Sequence, residues 1–154
     1  MLPRVLQSIL NDDYRQHESP ITIRFRQGTT SYTLLKKGNL KVNRANTTAT
    51  FHDPCILVND LGISTAPREI LGELGFEIKE PVYSRDDTHC CGGLCGARIG
   101  DCSLTDKMSA MRISELKETA ADIYVSACPT CKSVLSGLDM KDITDIVAER
   151  IIDE

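Results

Sequence analysis

The stretch TTATFHDPC, residues Thr47–Cys55, predicts a strand that runs directly into a cysteine. Threonine and phenylalanine suit the pleated surface of a sheet, and proline is rarely found inside a central strand. A later stretch, ADIYVSAC, has the same form and ends at Cys128, and between them FEIKEP, residues 76–81, predicts a further strand. Two of the three predicted strands therefore deliver a cysteine at their carboxyl end.

Helices are predicted in the segments between and after these strands. Proline is favoured in the first helical turn, and glycine just past the last. The predicted helices are PREILGELG (67–75), one that begins at a capping box of Ser103 and Asp106, one from Pro129 to Gly137, and one from about Asp142. The apolar residues expected to face the core are Leu104, Met108, Met111, Leu116 and Ala120 in the second helix, and Ile143, Ile146, Val147 and Ile151 in the last.

Alternating strands and helices predict an α/β fold with a mainly parallel sheet and flanking helices. Sheets of this kind gather their functional sites outside the carboxyl ends of the strands. Cys55 and Cys128 follow two such ends, and Cys90 and Cys91 lie on the loop after the FEIKEP strand. The pattern therefore predicts a cysteine site at the carboxyl edge of the sheet.

Residues 1–46 form a small, mostly helical N-terminal lead in the predicted organisation. The stretch LPRVLQSILNDDY predicts a helix, ITIRF a short strand, and TSYTLLKKGNLKV a second helix stopped by Gly38. This lead has no cysteine and is suited to packing or docking. Residues 47–154 are predicted to form the cysteine-bearing domain.

Composition and charge narrow the function classes. The net charge of −4 leaves no basic field for nucleic acid, and no apolar run is long enough to span a bilayer. The opening residues do not resemble a cleaved signal peptide. Seven cysteines, an odd number, in a chain of 154 residues favour metal or redox chemistry in the reducing cytoplasm over a disulfide framework.

The stretch THCCGGLCG, residues Thr88–Gly96, contains adjacent cysteines. Two neighbouring residues cannot easily both bind one tetrahedral ion, and a disulfide between them is strained. Cys90 and Cys91 therefore favour a site with more than one metal ion. Gly92 and Gly93 would allow the backbone to approach the sulfurs and donate amide hydrogen bonds.

The motifs FHDPC, PREIL, CCGG and CPTC, with their spacing, resemble the cysteine-rich CCG domain. That family includes heterodisulfide reductases and the iron–sulfur subunits of enzymes that oxidise glycolate, lactate and glycerol 3-phosphate. The resemblance covers about residues 47–154. It implies a [4Fe–4S] cluster of the non-cubane type, whose ligands would be Cys55, Cys90, Cys91, Cys128 and Cys131. Cys128 is also expected at a helix N-terminus, which favours the ligating thiolate.

This chain departs from the family pattern in two ways. Cys95 and Cys102 are additional cysteines, expected to be small buried apolar residues, although Cys95 is also a candidate ligand. Many relatives carry two such domains beside a ferredoxin-like segment, whereas this sequence has one copy. The resemblance therefore implies an oxidoreductase subunit that works with a second CCG domain, a flavoprotein or a ferredoxin-like subunit. Its substrate would be a small disulfide or thiol, or an organic acid couple.

Two other functions are compatible with the cysteine pattern. Four of the five thiolates could hold a structural zinc ion, which would make the domain an assembly module. The CPTC motif at Cys128–Cys131 could instead carry out thiol–disulfide exchange as in thioredoxin-like proteins.

His52 and His89 are the remaining candidates for chemistry, because each is close in sequence to a candidate cysteine. Either ring could donate a proton to a substrate thiolate or replace a metal ligand. The alternative is that each ring is hydrogen-bonded to the backbone.

Overall fold

The computed structural model describes residues 41–93 and 103–152, which form an α/β fold around a four-stranded sheet. All three strand pairs are parallel, and the strands lie in the order β2-β1-β3-β4. The strands are β1 (Thr48–His52), β2 (Glu77–Ile78), β3 (Ile123–Ser126) and β4 (Met140–Asp142). The predicted parallel α/β architecture is confirmed. The helices and strand predicted before residue 41 lie outside the described residues.

Within the described residues, four α-helices flank the sheet: α1 (Ala66–Glu73), α2 (Ser103–Lys117), α3 (Pro129–Val134) and α4 (Ile143–Arg150). Pro67 and Pro129 lie in the first turns of α1 and α3, as predicted. Asp142 caps α4 by accepting a hydrogen bond from the amide of Thr144 at 2.9 Å. Gly75 follows α1 with a φ of +85°, a conformation that favours glycine at a helix end. No helix among the described residues has the length and apolar character needed to cross a bilayer.

Successive side chains of β1 point to opposite faces of the sheet, which gives two cores. Ala49 and Phe51 pack with α1 and α4 on one face. Thr50 and His52 contact residues of α2 and the segment after it on the other, where a second apolar cluster lies. The buried members of that cluster are Cys91, Leu116, Cys128, Cys131, Leu135, Leu138 and Met140. The second core therefore contains three of the candidate ligands.

Helix α2 presents a different face to the core from the one predicted. Leu104 and Met111 were expected to face the core but are 65% and 49% exposed. Ala120 lies beyond the end of the helix and is exposed. Among the fully buried residues of α2, only Leu116 was predicted to face the core. The buried residues of α2 are Thr105, Ser109, Arg112 and Leu116. This face is selected because Arg112 hydrogen-bonds to the sheet and to the loop before the cysteine doublet. Apolar periodicity could not indicate a polar inner face.

Strand β4 was missed because its three residues, Met-Lys-Asp, show little strand character. It pairs with β3 and leads into α4. Residues 41–46 also contact this unit: Val42 pairs with Ile151, and Ala45 is buried in the first core. The division of the chain at residue 46 stays a prediction.

Candidate metal centre

Two parallel strands, β1 and β3, bring candidate cysteines to the same edge of the sheet. Cys55 lies three residues after β1, at the start of a helical turn over Ile56–Asp60. Cys128 lies two residues after β3 and is the N-cap of α3. Cys131 follows in α3 and is buried. These three cysteines therefore lie at the carboxyl edge of the sheet, where the positions of the predicted strand ends place them.

The loop after β2 carries the cysteine doublet into this edge, and two glycines allow it to pack tightly. A Cβ atom on Gly92, whose φ is +76°, would lie 2.5 Å from the carbonyl oxygen of Thr105. A Cβ on Gly93 would lie 2.7 Å from Cγ2 of Thr130 and 3.2 Å from Sγ of Cys91. The amide of Gly92 donates a hydrogen bond to Sγ of Cys90 at 3.4 Å. The close backbone approach expected at both glycines is present.

Four of the five predicted ligands line one cavity at the sheet edge. They are Cys55, Cys91, Cys128 and Cys131, and the other lining residues are Pro54, Ile56 and Thr130. The sulfurs of Cys91 and Cys131 are 3.4 Å apart. Cys90 lies at the rim, where its side chain contacts that of Cys55, and both are half-buried. Cys95 and Cys102 lie outside the described residues.

The site favours deprotonation of two thiols. A hydrogen bond from Cys131, together with the nearby His52 ring and the Gly93 amide, lowers the pKa of Cys91 to about 4. Cys131 and the backbone amides at the start of α3 lower the pKa of Cys128 to about 6. Burial and the neighbouring Cys90 and Cys91 raise the pKa of Cys55 to about 11. The site therefore favours the metal-binding thiolate form at Cys91 and Cys128 over the same form at Cys55.

A buried ion pair supports the doublet loop and was not predicted. Arg68 of α1 donates two hydrogen bonds to Asp53, at 2.7 and 2.8 Å, and two to Glu80, at 2.5 and 2.7 Å. The amide of Arg85 also donates to Asp53 at 2.8 Å. Asp53 thereby connects the end of β1 to the loop that leads to Cys90. The sequence contained no signal for this pairing, because its members are far apart along the chain.

His52 and His89 occupy different environments. His52 is buried, its Nδ1 accepts a hydrogen bond from Nε of Arg112 at 3.1 Å, and burial lowers its pKa. Its side chain and the sulfurs of Cys91 and Cys131 offer ligand atoms that lie within 4.8 Å of one another. His89 is partly exposed, pairs with Glu115 at 2.7 Å and stacks on a tyrosine ring. Both rings thus have side-chain partners, and only His52 lies among the candidate ligands.

Sequence comparison identifies the family to which this arrangement belongs. Residues 49–136, more than half of the chain, match the model of the family described as CCG, cysteine-rich domain. The chain belongs to the CCG family. The matched segment of this CCG protein includes all five cysteines of the site and extends from β1 through α3.

The relatives of this CCG protein include named redox proteins. It is 40% identical over 111 residues to a dihydromethanophenazine:CoB–CoM heterodisulfide reductase subunit from Methanosarcina barkeri, a match that covers 70% of this chain and 27% of the relative. It is 37% identical over 108 residues to a probable membrane-anchored ferredoxin of Chromohalobacter salexigens, covering 64% of this chain and 16% of that relative. The reductase subunit of the same name from Methanosarcina mazei is 32% identical over 128 residues, covering 77% and 31%. The chain thus spans less than a third of each relative.

The donor set of the CCG site fits a thiolate-bound metal centre. Sulfur donors suit iron–sulfur clusters and zinc. Two sulfurs bound about 2.3 Å from one tetrahedral ion would be about 3.8 Å apart, and the sulfurs of Cys91 and Cys131 are already at 3.4 Å. Gly93 also leaves the space beside Cys91 that a Cβ would fill. The sulfurs of Cys91 and Cys131 could therefore bind one metal ion after small side-chain movements.

Proposed function

We propose that this chain is an iron–sulfur redox subunit, or a domain of one, and that it resembles heterodisulfide reductase. The chain would hold a [4Fe–4S] cluster of the non-cubane type, whose ligands would be Cys55, Cys90, Cys91, Cys128 and Cys131. The observation that carries the proposal is the meeting of four of these cysteines in one cavity with Cys90 at its rim. More than one iron gives each of the adjacent thiols of Cys90 and Cys91 a metal to bind.

The reaction proposed is electron transfer to or from a small disulfide or thiol, or an organic acid couple. Reducing a disulfide consumes two electrons and two protons, and produces two thiols. A bound cluster would supply single electrons, which a partner must deliver. The proposed partners are a second CCG domain, a flavoprotein or a ferredoxin-like subunit.

The exposure of the cysteines supports a division of roles within the site. Cys91 and Cys131 are only 4% and 3% exposed, so the protein shields them from water. Cys55 and Cys90 are half-buried and lie nearer the surface, where a substrate sulfur or a partner would approach. Free thiols stay reduced in the cytoplasm, which supports a cytoplasmic location for a site with five cysteines. Residues 47–154 would carry this function, and residues 1–46 would serve in docking.

The test is the iron, zinc and acid-labile sulfide content of the full chain purified without oxygen. About four irons with matching sulfide are expected for this cluster type. One zinc without sulfide would contradict the proposal and would indicate an assembly module. A chain without metal but with a reversible Cys128–Cys131 disulfide would indicate thioredoxin-like exchange.

Matched variants make the metal analysis specific. Cys91→Ser should abolish the cluster, because it removes the buried member of the doublet. Cys102→Ser changes a cysteine outside the proposed ligand set and should retain full iron and sulfide. Full metal content in Cys91→Ser would contradict the proposed ligand set.

A further inference from the structure

We propose that Arg112 holds His52 in its Nε2-protonated tautomer, so that His52 donates a hydrogen bond to the sulfur of Cys91 and is not a metal ligand. This inference rests on the proposed function, because its main test measures the reduction potential of the proposed cluster. It makes His52 a positioning residue that tunes the centre through a ligand sulfur.

The tautomer follows from the chemistry of the two side chains. A guanidinium has N–H donors and no acceptor, and it stays protonated in proteins. Because Nε of Arg112 donates to Nδ1 of His52 at 3.1 Å, Nδ1 must be unprotonated. A neutral imidazole then has its proton on Nε2.

Arg112 cannot easily turn away from this contact. Its side chain is 0% exposed, and Nη1 donates to the carbonyl oxygen of Tyr83 and to Oε2 of Glu115, each at 2.9 Å. These bonds fix the guanidinium plane, and thereby the direction of Nε. The loop before the cysteine doublet and helix α2 together hold the imidazole.

The cysteine site offers a hydrogen-bond acceptor for the Nε2 atom of His52. Among the described residues it is the one buried side-chain nitrogen or oxygen without a hydrogen-bond partner. The ligand atoms of His52, Cys91 and Cys131 lie within 4.8 Å of one another. A buried N–H without a partner is costly, and a thiolate is a suitable acceptor. Small side-chain movements would allow the Nε2–H group of His52 to donate a hydrogen bond to the sulfur of Cys91.

Metal binding through Nε2 is incompatible with this arrangement. A neutral histidine that binds metal through Nε2 carries its proton on Nδ1. That proton would point directly at the Nε–H of Arg112, and two donors would face each other. His52 is therefore a hydrogen-bond donor, and its bond to a ligand sulfur should raise the reduction potential of the centre because it stabilises the more negative, reduced state.

The experiment measures the potential of the anaerobically prepared full chain and of three variants. His52→Leu removes the donor, and should retain iron and sulfide while lowering the reduced-to-oxidised ratio about tenfold at the wild-type midpoint, or about 59 mV for one electron. His52→Gln should recover part of the loss, since its amide can accept from Arg112 and donate to sulfur. Thr50→Val changes the same face of β1, away from the cysteines, and should leave the potential unchanged.

Two results would overturn the inference: an unchanged potential in His52→Leu, or strong direct coupling of the centre to ¹⁵N-labelled histidine in pulsed electron paramagnetic resonance. Absence of iron and sulfide in the wild type would contradict the proposed function instead. In that case long-range proton–nitrogen NMR of the metal-free or zinc form reads the tautomer directly. A proton on Nε2 of His52 with Nδ1 unprotonated supports the inference, and a proton on Nδ1 overturns it.

Discussion

Gly93 lies where the doublet loop meets helix α3, and its missing side chain is a requirement of the site. We expect Gly93→Ala to lose most of its bound metal and to destabilise the fold by about 1–3 kcal/mol, the usual cost of overpacking. The reason is that the new Cβ would lie 2.7 Å from Cγ2 of Thr130, 3.0 Å from Cγ2 of Val134 and 3.2 Å from Sγ of Cys91. Metal content and urea unfolding measure both effects.

Gly72 provides the matched control for this substitution. It lies within α1, and a Cβ there would meet no atom within 4 Å. Gly72→Ala should therefore keep its metal and gain about 0.5–1 kcal/mol in unfolding free energy, as alanine does over glycine in a helix. Equal metal loss in the two variants would show that crowding at Cys91 is not the cause.

Asp53 is a second residue with a testable role, because its carboxylate forms a buried ion pair with Arg68. Asp53→Asn removes one charge of the ion pair with Arg68. The side chain of Asp53 is 0% exposed and that of Arg68 is 6% exposed. Breaking a buried pair costs about 3–5 kcal/mol, and the two remaining hydrogen bonds from Arg68 to Glu80 place the expected loss at the lower end. Thermal unfolding of the metal-loaded chain measures this loss.

The control for Asp53→Asn is the same substitution at Asp139, which pairs with Lys141 at the surface. The side chain of Asp139 is 89% exposed, so solvent screens this pair. Asp139→Asn should leave the unfolding midpoint unchanged. A similar decrease in both variants would mean that the charge change, and not the buried contact, controls stability.

At the scale of elements, the orientation of α2 determines which of its apolar residues contribute to stability, and these differ from the residues that apolar periodicity selects. Leu116 is 0% exposed, so Leu116→Ala should cost about 2–5 kcal/mol of unfolding free energy through the cavity it leaves. Met111 is 49% exposed, so Met111→Gln should change stability by less than about 0.5 kcal/mol. Chemical denaturation of the two variants compares them. A large loss in Met111→Gln would contradict the orientation described.

At the scale of the whole molecule, the two cores should respond differently to removal of metal. The second core contains Cys91, Cys128 and Cys131, whereas the first, around Phe51, contains no cysteine among the described residues. Chelation under anaerobic conditions should therefore speed amide hydrogen exchange at the end of α3, as at Leu135, whose amide donates to the carbonyl oxygen of Cys131, and leave β1 protected. Equal acceleration in both cores would instead indicate global unfolding linked to metal loss.

Local chemistry was sufficient to predict much of this fold. β-Branched and aromatic residues indicated β1 and β3, prolines indicated the starts of α1 and α3, and the cysteines that follow two strand ends indicated a site at the sheet edge. These features depend on a few consecutive residues, whose backbone preferences act within a single element. The short strand β4 was missed because it is defined by pairing with β3 more than by its own residues.

The sequence by itself determined the parallel α/β architecture and which cysteines reach one edge of the sheet, because both follow from the order of elements along the chain. Only the tertiary structure decided that Cys91 meets Cys131 and that Arg112 lies against His52. These partners are 40 and 60 residues apart. Their contacts depend on how α2 and α3 pack on the sheet, and packing of distant segments leaves no periodic pattern in the sequence.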